Sequence, residues 1–202
     1  MSKRWIIAFG GMAEHGKSTC SKIASEYLAE KKYPSIRLAF AGRLKEAVKI
    51  LFRLGDSDVY TSEGKQKIQP HLGSKCTARI VLQKFGSDVM RDTLSTTIPE
   101  LECLNSNSIW VWNIEQDIIE NKDMFIIIED VRFPDEEKML RYHEAFIINV
   151  VRPNYGNAAP THQSETSHSL IKFDNTIIND STLDELRVKL ISILDKLLIN
   201  EG

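Results

Sequence analysis

Residues 5–20 read WIIAFGGMAEHGKSTC, and the rest of the chain can be laid out from them. The apolar run from Trp5 to Phe9 predicts a buried strand that turns at Gly10 and Gly11. G-x-x-x-x-G-K-S follows, from Gly11 through Gly16 and Lys17 to Ser18. Ile23, Ala24, Tyr27 and Leu28 then fall on one face of a predicted helix. Strand, glycine-rich loop and helix in that order are the context that gives this motif its meaning. Glycines let backbone N–H groups converge on a phosphate, and a helix start adds partial positive charge. Gly11, Met12, Ala13, Glu14, His15, Gly16, Lys17, Ser18 and Thr19 are therefore expected to wrap nucleotide phosphates. Lys17 would reach the β- and γ-phosphates, and the Ser18 hydroxyl would ligate Mg²⁺. The stretch predicts a nucleotide-binding chain that takes a triphosphate together with Mg²⁺.

Downstream, Ile36–Phe40 reads as a second short strand. A helix follows with Leu44, Ala47, Val48 and Leu51 at helical spacing. Arg43 and Lys45 stand at its start, just past a strand's carboxyl end, where ligands bind in open parallel sheets. Gly55–Lys75 is polar with little periodicity and reads as an insertion longer than ordinary connections. TARIVLQKFGSDVMRDTL resumes a helical pattern, with Arg79 and Gln83 sharing one face and Ile80, Val81 and Phe85 turned inward. Gly86 reads as an interruption, followed by Asp88, Arg91 and Asp92. A helix over 105–119 presents Trp110, Val111, Ile114 and Ile118.

Met124–Ile128 is continuously apolar, which suits a parallel strand covered on both faces. It ends in Glu129 and Asp130, and an acidic residue there is the expected Mg²⁺ partner in a phosphate-loop protein. Asp130 is the first candidate and Glu129 its alternative. Arg132 follows, then a helix from Asp135 to Tyr142, then a strand from Ala145 to Val151 ending in Arg152-Pro153. Residues 154–169 are polar and contain His162, Glu165 and His168. They read as a flap over the nucleotide more readily than as a metal site. A last strand, Thr176–Ile178, leads through Asn179, Asp180 and Ser181 to a capping box of Thr182 and Glu185. Leu183, Leu186, Leu190, Leu194 and Leu197 form the stripe of the final helix. Strands alternating with helices predict a mostly parallel α/β sheet with helices on both faces, the three-layer phosphate-loop fold.

The chain has 202 residues and a formal net charge of -2. One domain is the default at that length, and the charge argues against a general affinity for nucleic acid. No apolar run approaches the roughly 20 residues that span a bilayer, so no membrane partner is expected. The apolar part of MSKRWIIAFGG is too short for a secretory signal. Cys20, Cys76 and Cys103 sit at no metal spacing and suit reduced thiols, so a cytoplasmic setting is expected.

An N-K-x-D guanine signature is not met: Asn121, Lys122 and Asp123 are followed by Met124, and a strand follows them where it should precede. A small phosphate-loop chain with polar insertions is most economically a kinase of a small metabolite. In order, GMAEHGKST, AGRLKEAV, LQKFGSDVMRD, WVWNI, IIEDVRFPDEE, VRP, HQSE and FDNTIIND resemble the motifs of deoxynucleoside monophosphate kinases of phages and large DNA viruses. The resemblance covers nearly the whole chain. It implies one kinase domain over 1–202, with an acceptor-binding insertion at about 43–100 and a lid-like loop at about 152–169. It further implies transfer of the ATP γ-phosphate to a deoxynucleoside 5′-monophosphate, in the host cytoplasm if the chain is viral. Arg132 and Arg152 would stabilise the transferring phosphoryl together with Lys17 and Asp130. The adenine is expected near Asn179 and Asp180. Arg43, Lys45 and Arg91 would hold the acceptor's phosphate, and Arg79 and Gln83 its sugar or base. Ser18 departs from the acidic residue that members often carry after the loop lysine. Two other readings stay open, a phosphomevalonate kinase and a nucleotide-binding regulator without transfer activity. A homodimer is a permitted assembly.

Overall fold

A computed structural model of the chain describes residues 5–104, 108–153 and 167–199. The chain divides into two compact units, one of Met1–Ala39 with Glu115–Gly202 and one of Phe40–Ile114.

The first unit is built on five parallel strands. They are β1 (Ile6–Gly10), β2 (Ser35–Leu38), β3 (Phe125–Val131), β4 (Phe146–Val151) and β5 (Asn175–Ile178), in spatial order β2-β3-β1-β4-β5. β1 is central because all five of its residues are buried, as its unbroken hydrophobicity requires. Side chains alternate across the sheet. Ile7, Phe9, Ile127, Ile148, Val150 and Ile177 pack with helix α1 (Lys17–Glu30) and the last helix, Leu183–Ile199. The intervening Ile6, Ala8, Ile126, Ile128 and Ile147 are equally buried, so the opposite face is covered too. On that last helix Leu186, Leu190 and Leu194 are buried, whereas Leu183 is 61% exposed because the first turn precedes the packed stretch. Thr182 Oγ1 accepts from the Glu185 amide at 3.3 Å, as a cap at that position should.

The second unit opens with α2 (Phe40–Phe52). Phe40 begins this helix and does not end β2, because a lone buried aromatic reads the same in either element. Leu44 and Val48 face the unit's core, but Leu51 is exposed. On the last turn it lies about 60° round from Val48. The insertion is ordered and not a plain loop: α3 (Asp56–Tyr60) and α4 (Ser62–Gln66) bury Val59 and Gly64. α5 (Ala78–Gln83) buries Ala78 and Val81 and leaves Ile80 exposed, correcting the inward placement of Ile80. Gly86 does not break the helix. The chain continues from Lys84 to Val89 as a π-turn, with Met90 N donating to Phe85 O at 3.0 Å. Gly86 lies against Leu44, where a Cβ would collide, and its carbonyl accepts from Trp110 Nε1 at 2.8 Å. The short α6 (Leu94–Thr97) follows, and α7 (Ile109–Glu120) carries the boundary between the units. α8 (Pro134–Tyr142) and the last helix, α9, complete the chain.

Gly64 gives a direct test of the second unit. A Cβ there would meet the Ser57 carbonyl, which is backbone and cannot swing away. Gly64→Ala is expected to destabilise the protein by about 2 kcal/mol in chemical denaturation. An unchanged midpoint would contradict the packing described.

Candidate nucleotide-binding site

The loop between β1 and α1 is shaped by two glycines in the left-handed region. Gly11 has φ 137 and a Cβ there would strike the Val150 carbonyl; Gly16 has φ 104, with Asn179 Nδ2 2.6 Å from where a Cβ would stand. Glu14 shares the left-handed conformation at φ 64. The loop thus lies directly against the backbone of β4 at Gly11 and against the Asn179 side chain, just past β5, at Gly16.

Lys17 is 7% exposed, and its ammonium donates to the carbonyls of Gly11 and Met12, both at 2.7 Å. Burial pushes its pKa down from 10.5 to about 7; the charge of Arg132 lowers it further and Asp130 opposes the shift. Below about pH 7 the folded and unfolded chains both hold this proton, and the fold carries the whole penalty of burying it. Between 7 and 10.5 the unfolded chain binds more protons, so stability rises with pH. Lys17→Met is accordingly expected to melt above the wild type near neutral pH, with the gap closing by about pH 10. A gap independent of pH would contradict this.

Ser18, on the first turn of α1, is exposed, and Thr19 is half-buried. Asp130 is buried in β3 at the sheet's carboxyl edge. Glu129, one residue earlier, faces the other way and pairs with Arg37 Nη2 at 2.7 Å, while Arg37 Nε donates to Ser21 Oγ at 2.9 Å. Glu129 is therefore already engaged as a counter-ion, which favours Asp130 as the metal partner. Among the described residues no three His, Cys, Asp or Glu side chains cluster as a metal site. One hydroxyl and one carboxylate nevertheless suit Mg²⁺, which keeps several waters.

Arg132 is set by α8. The Glu136 carboxylate, 1% exposed, accepts from the Arg132 amide at 2.7 Å and the Phe133 amide at 3.1 Å. The sequence reading started this helix at Asp135; Pro134 at its first position and Glu136 two positions on are the signals from which the cap could have been found. The Arg132 Nε is buried with no hydrogen-bond partner among the described residues. Two cations acting on each other, one with a buried donor, fit the phosphates of a nucleotide.

Arg152 follows β4 and is exposed. Asn179 N donates to Val151 O at 2.7 Å and Asn179 Nδ2 to His15 O at 3.0 Å. The Asp180 carboxylate accepts from Lys189 at 2.8 Å, and that bond holds its pKa below the ordinary carboxylate value. Both polar side chains are committed within the protein. The sequence did not single out Arg37, Ser21 or Glu136.

The expected acceptor residues Arg43, Lys45, Arg79, Gln83 and Arg91 all belong to the second unit. Arg43 is exposed and the other four are half-buried. The Lys45 ammonium lies 4.8 Å from the Tyr60 ring centroid. His162, Glu165 and most of the lid-like loop lie outside the described residues, as does the His168 side chain. No helix among the described residues is long and apolar enough to cross a membrane.

A central parallel strand ending in a glycine loop, a buried loop lysine, and an acidic residue near the end of the neighbouring strand define the three-layer phosphate-loop α/β fold. The sequence profile of deoxynucleotide monophosphate kinases matches residues 55–190, and the chain belongs to that family. A protein of Acanthamoeba polyphaga mimivirus, whose name describes it as a deoxynucleotide monophosphate kinase, is 29% identical over 182 residues, covering 89% of this chain and 93% of that protein. Among solved structures, the Mycobacterium tuberculosis APS kinase in complex with AMPPNP and APS is similar at a TM-score of 0.48 and 10% identity, covering 96% of this chain and 98% of that one. A gluconokinase from Sinorhizobium meliloti is similar at a TM-score of 0.44 and 10% identity, covering 99% of this chain and 98% of that one.

Proposed function

We propose that this chain transfers the γ-phosphoryl group of ATP to the phosphate of a deoxynucleoside 5′-monophosphate, releasing the diphosphate and ADP. The observation that carries the reading is the buried Lys17 beside the charge of Arg132, whose Nε has no hydrogen-bond partner among the described residues. Such a pocket is costly without an anion and is stabilised by a chain of phosphates. Lys17 and the loop amides hold the donor phosphates, while Arg132 and Arg152 take up charge on the transferring group. Ser18 and Asp130 would hold Mg²⁺, which when bound neutralises phosphate oxygens.

Phosphoryl transfer of this kind is mostly positioning and charge stabilisation. The attacking atom is an oxygen of the acceptor phosphate. Its second pKa is about 6, so it is largely ionised at neutral pH and needs no general base. A hydroxyl acceptor would need a carboxylate to take its proton. Glu129 was the obvious alternative base, and it is engaged by Arg37. Arg43, Lys45 and Arg91 are assigned to the acceptor's phosphate, and Arg79 and Gln83 to its sugar or base. Gln83 offers both donor and acceptor groups and so accommodates several bases.

The test is turnover across the four common deoxynucleoside monophosphates, their ribo-counterparts, thymidine and phosphomevalonate. Activity with one or more deoxynucleoside monophosphates is expected. Phosphorylation of thymidine but not its monophosphate would overturn the acceptor assignment, and activity on phosphomevalonate alone would replace it.

The metal assignment is tested separately. Asp130→Asn is expected to raise the Mg²⁺ concentration for half-maximal rate by about tenfold. An unchanged requirement would move the role to Glu129.

A further inference from the structure

Lys17 and Arg152 come from separate segments, the loop after β1 and the turn after β4. Transfer that depends on positioning needs the two held at a fixed separation. The His15 imidazole lies where it can fix that separation. Its ring is 8% exposed, and Nδ1 stands 3.3 Å from the Val150 carbonyl and 3.3 Å from the Arg152 amide nitrogen. A ring nitrogen plays one role at a time. Bare, Nδ1 accepts from the Arg152 N–H; protonated, it donates to the Val150 carbonyl. One partner lies near the end of β4 and the other is Arg152 itself, so either tautomer ties the loop to the segment that carries Arg152. The backbone of the same residue is held as well, since Asn179 Nδ2 donates to its carbonyl at 3.0 Å.

We propose that His15 is a positioning residue for phosphoryl transfer, clasping the phosphate loop to the root of Arg152 through Nδ1. The catalytic consequence rests on the function proposed above; the clasp itself does not. Nothing in the loop motif prescribes histidine at this position, since its four variable residues need only backbone N–H groups.

Three variants separate a specific clasp from simple filling of space. The asparagine amide reaches the position of Nδ1, whereas the glutamine amide reaches that of Nε2. His15→Ala and His15→Gln are expected to lower kcat for deoxynucleoside monophosphate phosphorylation about tenfold. The KM for ATP should change less than about threefold, because the loop amides and Lys17 remain. His15→Asn should recover most of the lost kcat. Hydrogen exchange at the Arg152 amide, read in the intact protein without substrate, should quicken about fivefold in the Ala and Gln variants and return toward the wild-type rate in Asn. Equal kcat in all variants, equal loss in all of them, or a loss confined to the ATP KM would overturn the proposal, as would unchanged exchange at Arg152. If His15→Ala does not fold, the contrast between Asn and Gln decides. If the wild type phosphorylates no deoxynucleoside monophosphate, the function reading fails and the exchange measurement alone decides the clasp.

Discussion

Lys17→Ala is expected to lower turnover about 10³-fold, since it removes a preorganised charge aimed at the phosphates. Lys17 is the buried cation of the loop, held at 2.7 Å by the carbonyls of Gly11 and Met12. Those bonds keep the ammonium inside the curve of the loop, ready to exchange carbonyl partners for phosphate oxygens. Burial and Arg132 disfavour its charge in the free protein, with its pKa at about 7. Bound phosphates reverse that balance, so nucleotide binding is expected to bring proton uptake at pH 8. Methionine at this position would remove the penalty and the function together. Steady-state turnover at saturating ATP is the measurement, and near-normal activity in Lys17→Ala would remove the loop from the catalytic assignment.

Arg132→Lys has the second largest expected effect, a fall in kcat of about 10²- to 10³-fold with a smaller change in ATP affinity. The backbone at Arg132 is fixed by Glu136, so a replacement starts from the same point and differs only in its head group. Lysine keeps the charge but loses the planar fork that grips two phosphate oxygens at once. It also lacks an Nε–H, the group that is buried without a partner among the described residues. Single-turnover rates and ATP titration separate the two effects. A change confined to ATP affinity would show that Arg132 holds the donor and does not stabilise the transferring group.

The parts of the fold legible in the sequence are those whose signals are local. Trp5–Cys20 carries strand, loop and helix within one window, so the phosphate loop could be read from its spacing. The place of Asp130, buried near the carboxyl end of β3, was legible because the continuous apolar run before it marks a covered strand. Gly86 was misread because the same residue marks a break in one setting and close packing in another. Its π-turn depends on Leu44 and Trp110, which no window around Gly86 contains. The polar stretch after Gly55 hid two short helices whose buried residues, Val59 and Gly64, are too few to set up a period. The clasp at His15 was illegible for the same reason as Gly86: its partners Arg152 and Asn179 come from distant segments. The sequence placed Asp130 ahead of Glu129 but close to it, and the pairing of Glu129 with Arg37, from a distant strand, is what no local window could show.

The measurement closest to the central claim is the fate of a label carried on the γ-phosphate of ATP when the protein is incubated with each deoxynucleoside 5′-monophosphate. The account predicts label in the β-position of the deoxynucleoside diphosphate, at one label per ATP consumed. Label recovered only as inorganic phosphate, or on the hydroxyl of thymidine, would contradict it.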